Sequence, residues 1–158
     1  WTYVSDVTQI ICQHRDITSL EGMQAVADAS PSRLKLLDFI GCEITDLEPL
    51  RGLTGLETLE LGNWSNRVTD LEPLAGLTEL QQLILRYNNV KDLGPLSGLQ
   101  ALLILNLVGN AVEDVSPLFP LASLQDLVLI QNPLIPCSQL DELEEALPET
   151  RVLAYCGG

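Results

Sequence analysis

The stretch LQQLILRYNNVKDLGPLSGL, residues 80–99, is followed by LLILNLVGNAVEDVSPLFPL, residues 102–121, in which leucine, asparagine, aspartate and proline recur at an offset of 22. The same interval of 22 separates Asn66, Asn88, Asn110 and Asn132. A spacing kept at so many positions predicts a chain built from repeated coils, each of which completes its core only by stacking on the next.

Each unit carries an alternating leucine pair, such as Leu83 and Leu85, that is typical of a short strand. Alternation sends both leucines into the core and their neighbours outward, so stacked units form a parallel sheet. The asparagine that follows, Asn88 in this unit, is expected to be buried and to satisfy backbone groups left unpaired where the chain turns.

The segment after the asparagine has the pattern D-L-x-P-L and predicts a tight or 3₁₀ turn behind the sheet. A regular row of carboxylates results from Asp46, Asp70, Asp92 and Asp114. We expect these side chains to bond nearby backbone amides rather than to hold a metal, because a calcium loop needs several oxygens close together.

The complete unit, L-x-x-L-x-L-x-x-N-x-[IVL]-x-D-[LV]-x-P-L-x-x-L, resembles the 22-residue leucine-rich repeat of bacterial internalins. The resemblance covers most of the chain. It implies an α/β solenoid, a horseshoe with a parallel concave β-sheet, 3₁₀ turns on the convex side and a short C-terminal capping helix.

The period divides a single domain, residues 1–158, into three parts. Residues 1–33 form a degenerate first repeat, residues 34–132 the regular repeats, and residues 133–158 a C-terminal cap, with six strands in total. A helix is expected from Ser138 to Leu147 with Ser138 as its N-cap. Cys42 takes the place of the asparagine, and two extra residues after Leu61 predict a bulge that carries Trp64.

The four cysteines fall into two pairs. Cys12 and Cys42 occupy inward positions too far apart in the repeat for a disulfide and are expected to be buried thiols. Cys137 and Cys156 bracket the capping helix, which resembles the disulfide-closed caps of exported repeat proteins. That resemblance implies a periplasmic, cell-surface or secreted protein, whereas two reduced thiols in a cytoplasmic protein are the alternative.

The composition excludes several classes of function. With 22 acidic and 8 basic residues and a net charge of −14, the chain should repel nucleic acid and anionic lipid, and it favours a partner with a basic surface over one with an acidic surface. An acidic surface that only confers solubility is the simpler alternative. No apolar run is long enough to span a membrane. A lone His14, no C-x-x-C pair and no phosphate-binding loop leave no basis for an enzyme, a metal or a cofactor.

The outward side chains of the strands do not pack in the core, and many of them are apolar. Such a patch indicates a protein-binding site, although β-branched residues also favour strands for local reasons. The predicted contact residues on the concave face are Leu36, Ile40, Glu60, Trp64, Ile84, Arg86, Tyr87, Ile104, Val108, Val128 and Ile130.

We therefore expect a non-enzymatic protein-binding module. Two alternatives remain open: a structural or homodimeric repeat protein of the cell envelope, and an immunity-type inhibitor of a basic effector.

Overall fold

The computed structural model describes residues 8–12, 17–23, 25, 33–62 and 66–155, which form a solenoid with one parallel sheet. Seven strands follow one another across this sheet in chain order. They are β1 (Gln9–Ile11), β2 (Leu36–Asp38), β3 (Thr58–Glu60), β4 (Gln82–Ile84), β5 (Ile104–Asn106), β6 (Asp126–Val128) and β7 (Arg151–Leu153). The predicted fold class is confirmed.

The register of the sheet is the one that the 22-residue period predicts. Leu59 pairs with Leu83, Leu83 with Leu105, and Leu105 with Leu127. All four are fully buried, because each strand is three residues long and only its central side chain points into the core. The first strand follows the same rule, since Ile10 of β1 pairs with Leu37 of β2.

The convex side consists of four short 3₁₀ helices, each with proline in its first turn. These are Glu48–Leu50, Glu72–Leu74, Gly94–Leu96 and Ser116–Leu118. The preceding aspartate accepts the N–H of the first helical residue in every unit, for example Asp92 from Gly94 at 2.8 Å and Asp114 from Ser116 at 2.9 Å. The predicted capping role of the aspartate row is confirmed.

The asparagines form a continuous ladder through the interior. Asn110 accepts the N–H of Val90 at 2.9 Å and donates to the carbonyls of Leu85 and Leu107, both at 3.0 Å. Asn88 donates to the same Leu85 carbonyl and Asn132 to the same Leu107 carbonyl. Each side chain therefore joins its own coil to the preceding one, which confirms the structural role predicted for this position.

The irregular repeats keep this ladder. Asn66, which follows the two-residue insertion, accepts from Ile44 at 2.7 Å and donates to Leu61 at 2.8 Å and Phe39 at 3.1 Å. The Cys42 thiol donates to the carbonyl of Cys12 at 2.9 Å. Cysteine thus supplies one of the links that asparagine makes elsewhere. Cys42 is buried as predicted, whereas Cys12 is only half-buried.

The C-terminal cap differs from the prediction in two respects. Its helix, α1, spans Cys137–Ala146 and follows Pro136, so Ser138 lies inside the helix and is not the N-cap. Pro136 takes the extended conformation at φ −64°, which proline favours just before a helix begins.

The second difference is a seventh strand. Arg151–Leu153 extends the sheet beyond the last repeat, because this return segment lies alongside β6 in the register of the repeats. Helix α1 packs Leu140 and Leu143 onto the end of the core, as expected, and Leu147, which directly follows the helix, is buried with them.

Candidate functional site

The surface of interest, here called the sheet face, consists of the outward side chains of β1–β7 and of the second residue after each strand. The first and last residues of each strand point to this side, because the central residue points into the core. In β4, for instance, Gln82 and Ile84 flank the buried Leu83, and Arg86 follows two residues after the strand.

An apolar strip runs across β4, β5 and β6. Parallel neighbours stand about 4.8 Å apart, so the register of these strands places their outward side chains side by side. The strip consists of Ile84, Ile104, Val108, Val128 and Ile130. Each of them is half-buried. Val108 and Ile130 occupy equivalent positions on neighbouring coils. On the strands themselves Asn106 lies between Ile84 and Val128, and Ile104 lies between Gln82 and Asp126, so polar side chains interrupt the strip.

The strip continues onto β7, a region that the sequence analysis missed. Leu153 pairs with Val128 in the sheet and is 41% exposed, and Tyr155 beyond it is 77% exposed. Ile11 on β1 is also exposed, at the opposite edge of the sheet. The available signal was the alternation of Val152 and Ala154, which pack on the core, with the larger Leu153 and Tyr155, but it lies outside the 22-residue period.

The N-terminal part of the sheet face is polar. Asp38 and Glu60 lie side by side, in register on β2 and β3. Asp38 is buried and accepts the N–H of Ile40 at 3.0 Å. Burial raises the pKa of Glu60, and the neighbouring Asp38 raises it further, while the charge of Arg86 opposes the shift.

Arg86 lies flat across a glycine of the preceding coil. A Cβ at Gly62 would be 2.6 Å from Cγ of Arg86 and 3.1 Å from Cγ2 of Ile84. Any larger residue at position 62 would displace the arginine side chain. The absence of a side chain at Gly62 therefore determines where Arg86 lies on the sheet face.

Tyr87 lies on a glycine of the following coil. A Cβ at Gly109 would be 2.5 Å from Cδ1 of Tyr87, so the ring occupies that space. Tyr87 itself has φ 60°, in the left-handed region that disfavours bulky residues, while the equivalent positions Gly41 and Gly109 are glycines. Gln131 shares this backbone conformation in the next coil.

The remaining predicted residues have mixed outcomes. Leu36 and Ile40 are half-buried on the N-terminal part of the sheet face. Trp64 lies outside the described residues, as do His14 and Cys156. The predicted Cys137–Cys156 disulfide and the Trp64 bulge therefore stay predictions.

The side chains of the sheet face are mostly uncharged. Its groups are aliphatic side chains, one tyrosine ring at each end of the strip and a few charges, and across the described ranges no group of acids, cysteines or histidines could hold a metal ion. Such a surface gains free energy by excluding water from apolar area. No helix in the described part of the chain is long and apolar enough to cross a membrane.

Comparison with known proteins agrees with this architecture. A family model described as leucine-rich repeats, in two copies, matches residues 32–76 and 78–120. No protein with a curated description matches the chain significantly.

Two internalins of Listeria monocytogenes are among the similar solved structures. InlF is 27% identical with a TM-score of 0.71, and the match covers 94% of this chain and 48% of that one. Internalin C2 is 25% identical with a TM-score of 0.64, covering 95% of this chain and 80% of that one.

A leucine-rich-repeat protein of Leptospira interrogans shows a likeness of fold alone. It is 23% identical with a TM-score of 0.81, and the match covers 92% of this chain and 36% of that one. The chain thus spans about half the length of InlF and about a third of the Leptospira protein.

Proposed function

Because the chain belongs to the leucine-rich-repeat family, we propose that it is a non-enzymatic module that binds another protein through its sheet face. The apolar strip on β4–β7 is the observation that carries this proposal. Aliphatic side chains that serve no core and lie on one face of the sheet lower the free energy of association when a partner covers them.

The contact residues of the proposal are those predicted from the sequence, extended toward the C-terminal edge. Arg86 and Tyr87 belong to residue types that often dominate binding energy, and both lie against glycines of neighbouring coils. To the predicted residues we add Leu153 and Tyr155.

The resemblance to internalins supports a periplasmic, cell-surface or secreted location, with the Cys137–Cys156 disulfide closing the cap. At long range the net charge of −14 favours the approach of a protein with a basic surface. In the alternative function, this chain is an immunity-type inhibitor and would bind a basic effector through the same surface. A homodimer is the weaker alternative, because two copies of this charge repel each other.

The test is affinity capture with two variants of equal charge change. One carries Ile84→Glu, Ile104→Glu and Val128→Glu on the sheet face. The control carries glutamate at three exposed positions away from that face, namely Thr78, Ser97 and Ser116.

Quantitative mass spectrometry should show a protein that is captured by the wild type and by the control and is lost with the sheet-face variant. Circular dichroism spectra and melts establish that both variants fold. A partner that is retained by the sheet-face variant and lost by the control would contradict the proposal.

A further inference from the structure

The negative charge of this protein is unevenly distributed over its surface. Exposed carboxylates crowd the convex turns and the capping helix. They include Asp46, Glu48, Asp70, Glu72, Asp92, Glu113 and Asp114 on the turns, and Asp141, Glu142, Glu144 and Glu145 on α1. The sheet face carries few of them, so the net charge of the chain is a poor guide to the chemistry of that face.

The charges that do lie on the described part of the sheet face offset one another. Arg151 donates to the carboxylate of Asp126 across β6 and β7. At the border of the face, Lys35 and Glu57 form an ion pair at 2.8 Å.

The acidic residues on β2 and β3 interact with neighbouring groups of the same chain. The charge of Arg86 acts on Glu60, which is also within 3.4 Å of the side-chain amide of Gln82. Asp38 is 7% exposed, and its carboxylate accepts a hydrogen bond from the backbone N–H of Ile40.

From this arrangement we infer that the sheet face binds an uncharged, apolar segment of a partner protein, centred on β4–β7, and that a basic segment is not what it recognises. This inference rests on the proposed function and specifies the partner's chemistry. On β4–β7 the carboxylate of the face is that of Asp126, which is already paired with Arg151. A basic partner's charges would have to break that pair to find a counter-ion there, and burying them unpaired is unfavourable. Any basic groups of the partner would lie outside the contact, where the acidic surface attracts them at long range.

The occupant is a different protein rather than a second copy. Two copies would bring the charge of −14 on each chain together. Over its described part, the sheet face carries no excess of positive charge that would offset this repulsion.

The experiment uses a phage-displayed library of random peptides selected on the whole chain. Each enriched peptide is then measured against the triple glutamate variant at positions 84, 104 and 128. Leu153→Glu serves as a second variant, because Leu153 is already 41% exposed and its replacement leaves the core intact. Gly76→Ala, a residue whose Cβ would meet nothing within 4 Å, is the control.

We expect enriched peptides to be aliphatic or aromatic with little net charge, and to bind the control but neither sheet-face variant. Their Kd should change by no more than about threefold when ionic strength rises from about 0.01 M to about 1 M, which shortens the screening length from roughly 30 Å to roughly 3 Å.

Three results would overturn the inference, and they differ in what they say of the proposed function. Basic peptides that depend on the sheet face and weaken more than about tenfold with salt refute the partner's chemistry and leave the proposed function standing. Peptides that still bind the two sheet-face variants refute the partner's chemistry and the proposed function together. A dimer in light scattering that Leu153→Glu converts to a monomer assigns the surface to a second copy.

Discussion

Removing one asparagine of the ladder should destabilise the protein by an amount that depends on its neighbours. In Asn110→Ala, the N–H of Val90 loses the acceptor that the ladder provides. The carbonyls of Leu85 and Leu107 each keep one partner, since Asn88 still donates to the first and Asn132 to the second. The change thus leaves one orphaned amide and two weakened carbonyls.

The magnitude follows from these three groups. A buried donor left unsatisfied costs about 1–3 kcal/mol, and each of the two lost hydrogen bonds adds roughly 0.5–1 kcal/mol. We expect Asn110→Ala to lower the free energy of unfolding by about 2–5 kcal/mol. The matched variant Asn88→Ala breaks equivalent bonds, but Asn88 is half-buried and water can replace part of what is lost. Its cost should be about 1–2 kcal/mol.

Urea denaturation followed by circular dichroism measures both values. With a slope of about 2 kcal/mol/M, the middle of the usual range, Asn110→Ala should lower the midpoint by about 1–2.5 M and Asn88→Ala by less. Equal shifts in the two variants, or a larger shift for Asn88→Ala, would refute the argument that the buried amide dominates. An unchanged slope is expected, because neither side chain alters the surface exposed on unfolding.

Three further predictions concern the core, a titrating carboxyl and the cap. Leu105→Ala should lower the free energy of unfolding by about 2–5 kcal/mol in the same melts, because it leaves a cavity in the core. Asn106→Ala should lower it by only about 1 kcal/mol, because it removes one hydrogen bond to the backbone. Similar costs for the two variants would contradict the strand register. Glu60→Gln should be more stable than the wild type near pH 7 and should lose that advantage below about pH 4. The reason is that a carboxyl whose pKa is raised on folding favours the folded state only while it is protonated. A stability advantage of the variant that grows in acid would contradict this. Intact-mass analysis of unreduced protein from an oxidising compartment should find Cys137 joined to Cys156, and two alkylated thiols at these positions would exclude the closed cap.

Much of the fold could be predicted because every coil needs the same kind of side chain at the same position. The strand register, the asparagine ladder and the aspartate caps all follow from side chains that recur at one interval. Cys42 shows the limit of that reasoning: its place in the ladder was predictable, but a thiol has one hydrogen to donate, whereas the side-chain amide of asparagine has two as well as a strong acceptor oxygen. Even the insertion before Asn66 leaves the ladder intact, because the side chain still reaches its three backbone partners.

The features that escaped prediction lie where the period gives no information. Strand β7 lacks the leucine pair and joins the sheet only because the capping helix returns the chain beside β6. The exposure of Leu153 and Tyr155 follows from that return. The position of the Tyr87 ring depends on a glycine in another coil, and the charge balance of the sheet face depends on which residues become neighbours across strands.

The central claim, that the apolar strip on β4–β7 is the binding surface, can be tested by mapping a bound partner on the backbone. Amide chemical shifts of isotope-labelled protein are compared before and after addition of the captured partner. We predict that the largest changes fall on residues 82–87, 104–109, 126–131 and 151–155, with little change on the convex turns or on α1. Perturbations confined to the 3₁₀ helices or to Cys137–Ala146, with the sheet face unaffected, would contradict the account.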